Sequence, residues 1–303
     1  MKFGCTMLGG FPNLANMIPA FARAVEERGF DSLWLGEHTH LPVETRHPAM
    51  KDGILPDRYK RFPDPWVVLA YAGAATSTLR LGSLITLVAE HNPLILAKQV
   101  ATLDQLTRGR VEMGVGYGWN HLEMANNGID PATRFDVLRE KVLAIKSVWT
   151  QEHASFEGDY VKFSDSWSLP QPKQDPHPPI LLGAAPGPRT FAHLVEFCDG
   201  YVPLRPMTGG ELAGHIADLR QASERAGRDP RSIGVTMTLA DTAYGRASDE
   251  GFARRLPTQE LLDEYAAIGV DRVVCAIPND DDGVMWRALD RYAELRATWV
   301  ASQ

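Results

Sequence analysis

The sequence predicts an α/β fold, a (β/α)8 TIM barrel, because short β-rich runs alternate eight times with helical stretches along the chain. Such alternation requires parallel strands joined by crossover helices, and eight units suit a closed barrel better than an open sheet. A barrel of this kind typically occupies about 250 residues, which the 303 residues allow with insertions. We therefore expect a single domain over residues 1–303.

The strand candidates are apolar runs bounded by turn residues. They cover Lys2 to Met7, Ser32 to Gly36, Leu79 to Thr86, Arg110 to Val115, Ile180 to Gly183, Gly200 to Pro203, Gly234 to Leu239 and Arg272 to Ala276. Helices are predicted where apolar residues recur at spacings of three and four. They cover Asn16 to Arg28, Pro65 to Thr76, Pro93 to Leu106, Thr133 to Trp149, Pro188 to Phe197, Gly209 to Ala226, Thr258 to Ile268 and Val284 to Val300. Gly29 and Gly269 are typical helix stops before a strand.

Two segments exceed ordinary connection lengths and are interpreted as loop insertions. One runs from His38 to Asp64, after the second strand, and the other from Gln151 to Pro179. Loops that follow the carboxyl ends of barrel strands usually shape the active site. The first insertion is therefore expected to line the site.

Composition narrows the class of protein. The apolar share of 44% and charged share of 23% are those of a soluble globular protein. A net charge of −7 without a run of Lys and Arg argues against nucleic acid as a partner. The longest apolar stretch, Trp66 to Ala75, is far shorter than the ~20 residues of a spanning helix, and Met1-Lys2 leads directly into a strand. We expect a cytoplasmic protein without a membrane partner, whose three separated cysteines are small buried hydrophobic residues.

Glu37 and His38 stand directly after the second strand, at the strand end where barrel enzymes gather reactive groups. A histidine can donate a proton near neutral pH, and a neighbouring carboxylate can fix its tautomer or bind a polar ring edge. A polar pair that merely faces solvent explains the same residues equally well.

A metal site is a further interpretation, because His38 and His40 form an HxH pair. The fifth and sixth strands offer no further ligand, although the three aspartates at 280–282 follow the eighth strand. We therefore expect no metal, and keep a metal-dependent hydrolase as a distant alternative.

Glycine-rich turns follow two strands and would let the backbone approach a flat ring or a phosphate. One spans residues 114–119 and the other residues 183–188, and ordinary βα turns explain both nearly as well. Aromatic residues that could line a pocket over the barrel mouth are Tyr59, Phe62, Trp66 and Trp119.

Several stretches in order resemble the luciferase-like monooxygenase superfamily, particularly its branch of F420-dependent oxidoreductases. The resemblance spans essentially residues 2–205. It rests on the segments Ala24 to Trp34, Glu37-His38, Leu81 to Thr86, His91 to Leu94, Ala97 to Asp104, Gly109-Arg110, Gly114 to Trp119 and Asp199-Gly200.

The resemblance implies a bacterial luciferase-like barrel that binds the cofactor ring at the carboxyl ends of the strands. It also implies a non-proline cis peptide in the third strand, matched here by Leu84-Ile85. His38 would lie near the reactive edge of the ring and Glu37 at its polar side, which makes both the expected catalytic residues. The cofactor-binding residues that it implies are Glu37, His38, Leu84, Ile85, Thr86, Gly116, Tyr117, Gly118, Trp119, Gly183, Ala184 and Ala185.

One departure limits the mechanism, because Trp119 occupies the position of a second acid, a glutamate, in the sugar-phosphate dehydrogenases of the deazaflavin branch. The substrate of those enzymes therefore does not transfer to this chain. The motifs favour coenzyme F420, which passes hydride, over FMN, whose reduced form supports monooxygenation. An FMN-dependent monooxygenase and a non-catalytic flavin-binding protein remain alternatives.

The expected partner is a small-molecule substrate, with a homodimer through the outer helix Pro93 to Leu106 as a possibility. The acidic tail of F420 would need Lys or Arg at the barrel mouth. The candidates for that role are Lys51, Arg58, Lys60, Arg61 and Arg189.

Overall fold

The computed structural model describes residues 1–7, 14–47, 53–204, 207–239, 257–278 and 282–303. Its strands are β1 (Lys2–Met7), β2 (Ser32–Leu35), β3 (Arg80–Thr86), β4 (Val111–Gly116), β5 (Ala154–Glu157), β6 (Lys162–Ser166), β7 (Ile180–Ala184), β8 (Gly200–Pro203), β9 (Gly234–Leu239) and β10 (Arg272–Ile277). Its α-helices are α1 (Leu14–Glu27), α2 (Pro65–Ala74), α3 (Pro93–Leu106), α4 (His121–Asn126), α5 (Arg134–Thr150), α6 (Pro188–Phe197), α7 (Gly209–Arg225), α8 (Gln259–Ile268) and α9 (Asp282–Ala301).

Eight parallel strands close into a barrel in the order β1-β10-β9-β8-β7-β4-β3-β2. The first and last strands pair along their whole length, from Lys2 with Arg272 to Met7 with Ile277. The predicted (β/α)8 barrel is confirmed, and each predicted barrel strand agrees with the structure to within one residue at either end.

Two features were not predicted. The insertion after α5 carries an antiparallel hairpin of β5 and β6, which pairs Phe156 with Phe163 outside the barrel. The short helix α4 follows β4 and is capped by Asn120, whose side chain accepts a hydrogen bond from the Glu123 amide. The helix matters below because it carries a buried carboxylate to the barrel mouth.

The hydrophobic core lies between the barrel and its outer helices. All three cysteines are buried and free, as expected from their spacing. Of the helices within the described ranges, none is long and apolar enough to cross a membrane.

Candidate functional site

A cavity of about 500 Å³ opens at the carboxyl ends of the barrel strands, a size typical of small-molecule sites. Its walls come from the ends of β1, β2, β3, β4, β7, β8 and β9. The expected site residues that line it are Glu37, His38, Leu84, Ile85, Gly116, Tyr117, Gly118, Trp119, Gly183, Ala184 and Ala185. The structure therefore brings together at one cavity residues from positions 37 to 185.

His38 is the reactive side chain best placed in this cavity. Its Nδ1 lies 2.6 Å from Oε2 of Glu123, and the side chains of His38 and Glu123 are 8% and 0% exposed. The other oxygen of Glu123 accepts hydrogen bonds from the amide of Thr39 at 2.9 Å and from its hydroxyl at 3.4 Å. The imidazole is thus anchored from behind by a buried carboxylate, and Nε2 is the ring nitrogen left for a molecule in the cavity.

Glu37 is buried, and both of its carboxylate oxygens have protein partners. Oε2 accepts a hydrogen bond from the Leu87 amide at 2.6 Å, and Oε1 lies 2.8 Å from Nε2 of His91. Burial lowers the pKa of His91, but hydrogen bonding and charge attraction from Glu37 outweigh it and raise that pKa overall. Glu37 therefore ties the end of β2 to the segment after β3, a role that the sequence did not indicate.

Aromatic rings surround His38 on the first insertion and after β4. The rings of Phe62, Trp119 and Tyr59 lie 5.2, 5.4 and 5.9 Å from the His38 ring, measured between centroids. His47 lies 4.5 Å from Trp119, and burial, followed by the charge of His38, lowers its pKa. This shift favours the neutral form of His47, which belongs to an aromatic wall together with Tyr59, Phe62 and Trp119.

Trp66 does not belong to this wall, contrary to the expectation for aromatic residues of this region. Its side chain is 4% exposed and packs in the hydrophobic core on α2, and it is absent from the cavity lining. Position 66 is the second residue of a helix that follows the insertion, and the helix directs it towards the barrel wall.

Another part of the wall combines Tyr117 with two arginines. Phe135 packs against Tyr117 at 4.6 Å, and the guanidinium carbons of Arg134 and Arg189 lie 4.2 and 4.4 Å from the Phe135 ring centroid. The Tyr117 hydroxyl lies 2.9 Å from Nδ1 of His193. Two cations thus stand beside the turn after β7, where the amino terminus of α6 also favours an anion.

The ends of β3, β4 and β7 meet at Ile85, and the Leu84-Ile85 peptide bond is cis. A Cβ atom at Gly116 would lie 2.7 Å from Cδ1 of Ile85, and one at Gly183 would lie 2.5 Å from its Cγ2. These two glycines therefore let the three strands close around Ile85 at the floor of the cavity. Thr86, in contrast, is fully buried and does not line the cavity.

The remaining candidates have different surroundings. Lys60 forms an exposed ion pair with Asp57, whereas Arg189 stacks on Phe135 beside the cavity. Lys51 lies outside the described residues, as do Asp280 and Asp281 from the metal interpretation. Within the described ranges, no group of three or more His, Cys, Asp or Glu side chains could hold a metal ion.

Sequence reasoning missed Glu123, Arg134 and Phe135, and it did not assign His47 to the site. Arg134 and Phe135 begin a helix that the sequence predicts, but periodicity does not say which end of the helix faces the cavity. A signal for Glu123 exists in the spacing from Asn120, which is a helix start with a carboxylate three residues later.

A closed parallel barrel with its cavity at the strand carboxyl ends defines the class of a TIM-barrel enzyme. Residues 1–272 match the family described as luciferase-like monooxygenase. The chain therefore belongs to the luciferase-like monooxygenase family and is an oxidoreductase of that class.

Individual comparisons agree with the family. An uncharacterised protein of Mycobacterium tuberculosis is 38% identical over 264 residues, which are 86% of both chains. The F420-dependent glucose-6-phosphate dehydrogenase of Kineococcus radiotolerans is 33% identical over 224 residues, which are 72% of this chain and 61% of that protein. A monooxygenase from Streptomyces bottropensis shares the fold with a TM-score of 0.78 at 21% identity, over 97% of this chain and 98% of its own.

Proposed function

We propose that the chain transfers hydride between coenzyme F420 and a small, uncharged organic substrate. The observation that carries this proposal is His38, which lines a largely apolar cavity and has Nδ1 paired with a buried carboxylate, so that Nε2 is the ring nitrogen available for proton exchange. Reduction of a carbonyl group needs a proton in addition to the hydride, and oxidation of an alcohol must remove a proton as well as a hydride. We assign that proton to Nε2 of His38.

The lining residues fit a flat ring with a polar, anionic side chain. Leu84 and Ile85 present an apolar surface, and Gly116 and Gly183 let Ile85 lie directly against the ends of β4 and β7. Arg134 and Arg189 beside the start of α6 fit an anionic group. When bound, the coenzyme would supply or accept the hydride. A similarity to an F420-dependent dehydrogenase supports the same coenzyme.

The aromatic wall supports an uncharged substrate. Around His38 the described lining includes the rings of His47, Tyr59, Phe62 and Trp119, and Arg134 is the Lys or Arg side chain that lines the cavity among the described residues. Rings favour apolar or aromatic groups. We therefore expect ketones, enones or secondary alcohols with an apolar body to be accepted, and sugar phosphates to be rejected.

The coenzyme is tested by titrating the purified protein with oxidised F420 and, in parallel, with FMN, while the absorbance and fluorescence of each ring are followed. We expect tight binding of F420 and weak binding of FMN. The opposite preference would contradict the proposal and indicate an FMN-dependent monooxygenase, which oxygen consumption with reduced FMN would detect. Ring binding without turnover of any donor or acceptor would indicate a non-catalytic flavin-binding protein.

The role of His38 is tested in the same preparation with His38→Ala. We expect turnover of reduced F420 with an apolar ketone to fall about 100-fold or more, with F420 still bound, because general acid catalysis typically contributes 10²–10⁴-fold. His153→Ala is the matched control, since His153 is exposed on the β5 side of the insertion. An unchanged rate in His38→Ala would remove the assigned role.

A further inference from the structure

The carboxylate of Glu123 is fully buried, and among the residues that the structure describes its hydrogen-bond partners are residues 38, 39 and 120. Oε2 lies 2.6 Å from Nδ1 of His38 and 3.4 Å from the side-chain nitrogen of Asn120. Oε1 is held by the amide and hydroxyl of Thr39. A buried carboxylate needs such partners, because an unpaired charge in the interior is strongly unfavourable.

The position of Glu123 follows from the short helix α4. Asn120 caps the helix and accepts a hydrogen bond from the Glu123 amide at 3.4 Å. The carboxylate then reaches back across the barrel mouth to the segment after β2, which is 85 residues earlier in the sequence. The His38–Glu123 pair thus joins the loop after β4 to the loop after β2.

We propose that Glu123 is the positioning residue of His38: it holds the proton on Nδ1 and thereby makes Nε2 the atom that exchanges a proton with the substrate. This inference rests on the proposed function for the identity of the reaction, although the pair itself is a property of the chain. The carboxylate accepts only from a protonated Nδ1, so it selects one tautomer of the neutral ring and stabilises the imidazolium form as well.

The proton balance follows from this arrangement. In the reducing direction, hydride adds to the carbonyl carbon, the C=O π bond breaks, and the oxygen takes the proton from Nε2 of the imidazolium. His38 is then neutral, with its remaining proton on Nδ1 against Glu123. In the oxidising direction, Nε2 accepts the alcohol proton as hydride leaves the carbon, and Glu123 stabilises the charge that forms on the ring.

A second carboxylate–imidazole pair in the chain is a useful comparison, because its carboxylate contacts the other ring nitrogen. In the pair of Glu37 and His91, the carboxylate binds Nε2 instead of Nδ1, and Glu37 also accepts from a backbone amide. His91 does not line the cavity. The ring of His38 combines carboxylate pairing with access to the cavity, which is the arrangement that proton exchange with a substrate needs.

The tautomer is measured by long-range ¹H–¹⁵N spectra of protein labelled with ¹⁵N-histidine, without coenzyme, with the His38 signals assigned through His38→Gln. We expect Nδ1 to carry the proton of the neutral ring in the wild type. We expect Glu123→Gln, which can donate to the ring from its amide, to populate the Nε2-protonated form. Glu90→Gln is the matched control, because Glu90 is a neighbouring carboxylate that accepts its hydrogen bond from Asn127, and it should leave the His38 signals unchanged.

Kinetics provide the second readout. Glu123→Gln should lower kcat of the F420-dependent reaction roughly 10- to 100-fold while KM and F420 affinity change less than threefold, because His38 remains in place with the wrong proton. Circular dichroism confirms the fold of the variant. A merely structural role would alter stability and KM without altering the tautomer.

The outcomes separate the two proposals. A wild-type His38 protonated on Nε2, or a tautomer that Glu123→Gln does not change, would overturn the inference even if F420 turnover is found. The expected tautomer shift without turnover of any F420 substrate would support the pair and contradict the proposed reaction. Since the wild-type spectrum alone reports the tautomer, the inference is testable even if Glu123→Gln does not fold.

Discussion

At the scale of single residues, Glu90 is a half-buried carboxyl group close to two others, those of Glu123 and Glu37. Burial first, and then the charges of Glu123 and Glu37, raise its pKa from 4.5 to about 8. The folded protein therefore holds this proton over a pH range in which the unfolded chain releases it. By linkage, the stabilisation is fully present below pH 4.5 and is lost as pH rises through about 8.

Glu90→Gln mimics the protonated carboxyl and should remove this pH dependence. We expect the variant to exceed the wild type in Tm by roughly 1–3 °C at pH 9, after allowance for solvent screening, and to match it near pH 4.5. Thermal unfolding between pH 4.5 and 9 measures the gap, with the exposed Glu224→Gln as control. A gap that does not widen with pH would show that Glu90 is already ionised in the folded state.

Single site residues could be predicted from the sequence only where they follow the end of a predicted strand. Glu37 and His38 follow β2, and the sequence places both at the barrel mouth, where the structure has them. It did not predict the pairing of Glu123 with His38, because the spacing from Asn120 to Glu123 indicates a helix start but gives no sign of a contact across 85 residues. For the same reason the partners of Glu37, the Leu87 amide and His91, could not be predicted from the sequence.

At the scale of secondary-structure elements, strands β3 and β4 approach each other closely at Gly114. A Cβ atom at Gly114 would lie 2.1 Å from the backbone oxygen of Ser83, and the register between the two strands shifts just after Ser83. The Ser83 hydroxyl also donates to the Gly114 oxygen at 2.8 Å. Backbone atoms of two paired strands cannot move aside cheaply, so only glycine fits.

Gly114→Ala should therefore lower the free energy of unfolding by roughly 1–3 kcal/mol or more, through overpacking between β3 and β4. Urea denaturation measures the change. Gly214→Ala is the matched control, since Gly214 lies inside α7 with nothing within 4 Å of the added atom. That variant should stabilise by about 0.5–1 kcal/mol, because alanine is the better helix former. Equal effects of the two substitutions would contradict the proposed contact.

Elements were predicted well where periodicity was long and poorly where it was short. Helix α3 has the predicted bounds, because 14 residues with proline at the start and a regular apolar spacing leave little ambiguity. Helix α4 has six residues, too few for a helical period, and the hairpin β5–β6 has strands of four and five residues. The hairpin lies in the insertion from Gln151 to Pro179, and α4 lies between the fourth predicted strand and the predicted helix Thr133 to Trp149.

At the scale of the whole molecule, alternation of strand and helix was sufficient to predict the barrel, since few other folds satisfy eight such units. What the sequence did not predict is how charged groups meet at the opposite end of the barrel from the cavity. Arg80, Glu112 and Arg272 come from β3, β4 and β10, and their side chains are intermediate or buried in exposure. Each lies at the edge of an apolar run, and the sequence around it gives no local sign of its distant partner.

Glu112 is the centre of this group. Its carboxylate binds Nη1 and Nη2 of Arg272 at 2.8 and 2.9 Å and also pairs with Arg80, while Nε of Arg272 lies 3.1 Å from Asp31. Burial by itself would raise the pKa of Glu112, but the two arginines outweigh it and lower that pKa. Since Arg272 lies on the last strand and Glu112 on the fourth, the pair connects strands that are 160 residues apart.

Glu112→Gln should lower the free energy of unfolding by ~3–5 kcal/mol at pH 7, because it removes the carboxylate that pairs with both Arg272 and Arg80 and leaves Asp31 as the remaining countercharge of the buried Arg272. The lowered pKa of Glu112 also makes this stabilisation depend on pH: it is present above pH 4.5 and is lost as pH falls through the folded-state pKa. The difference in stability between wild type and variant should therefore shrink in acid. Urea denaturation at pH 7 and pH 3 measures both effects. Glu196→Gln, which breaks an exposed pair with Arg139, should cost less than about 1 kcal/mol. A loss for Glu112→Gln no larger than that of Glu196→Gln would mean that the barrel closes through its strand pairing and core alone.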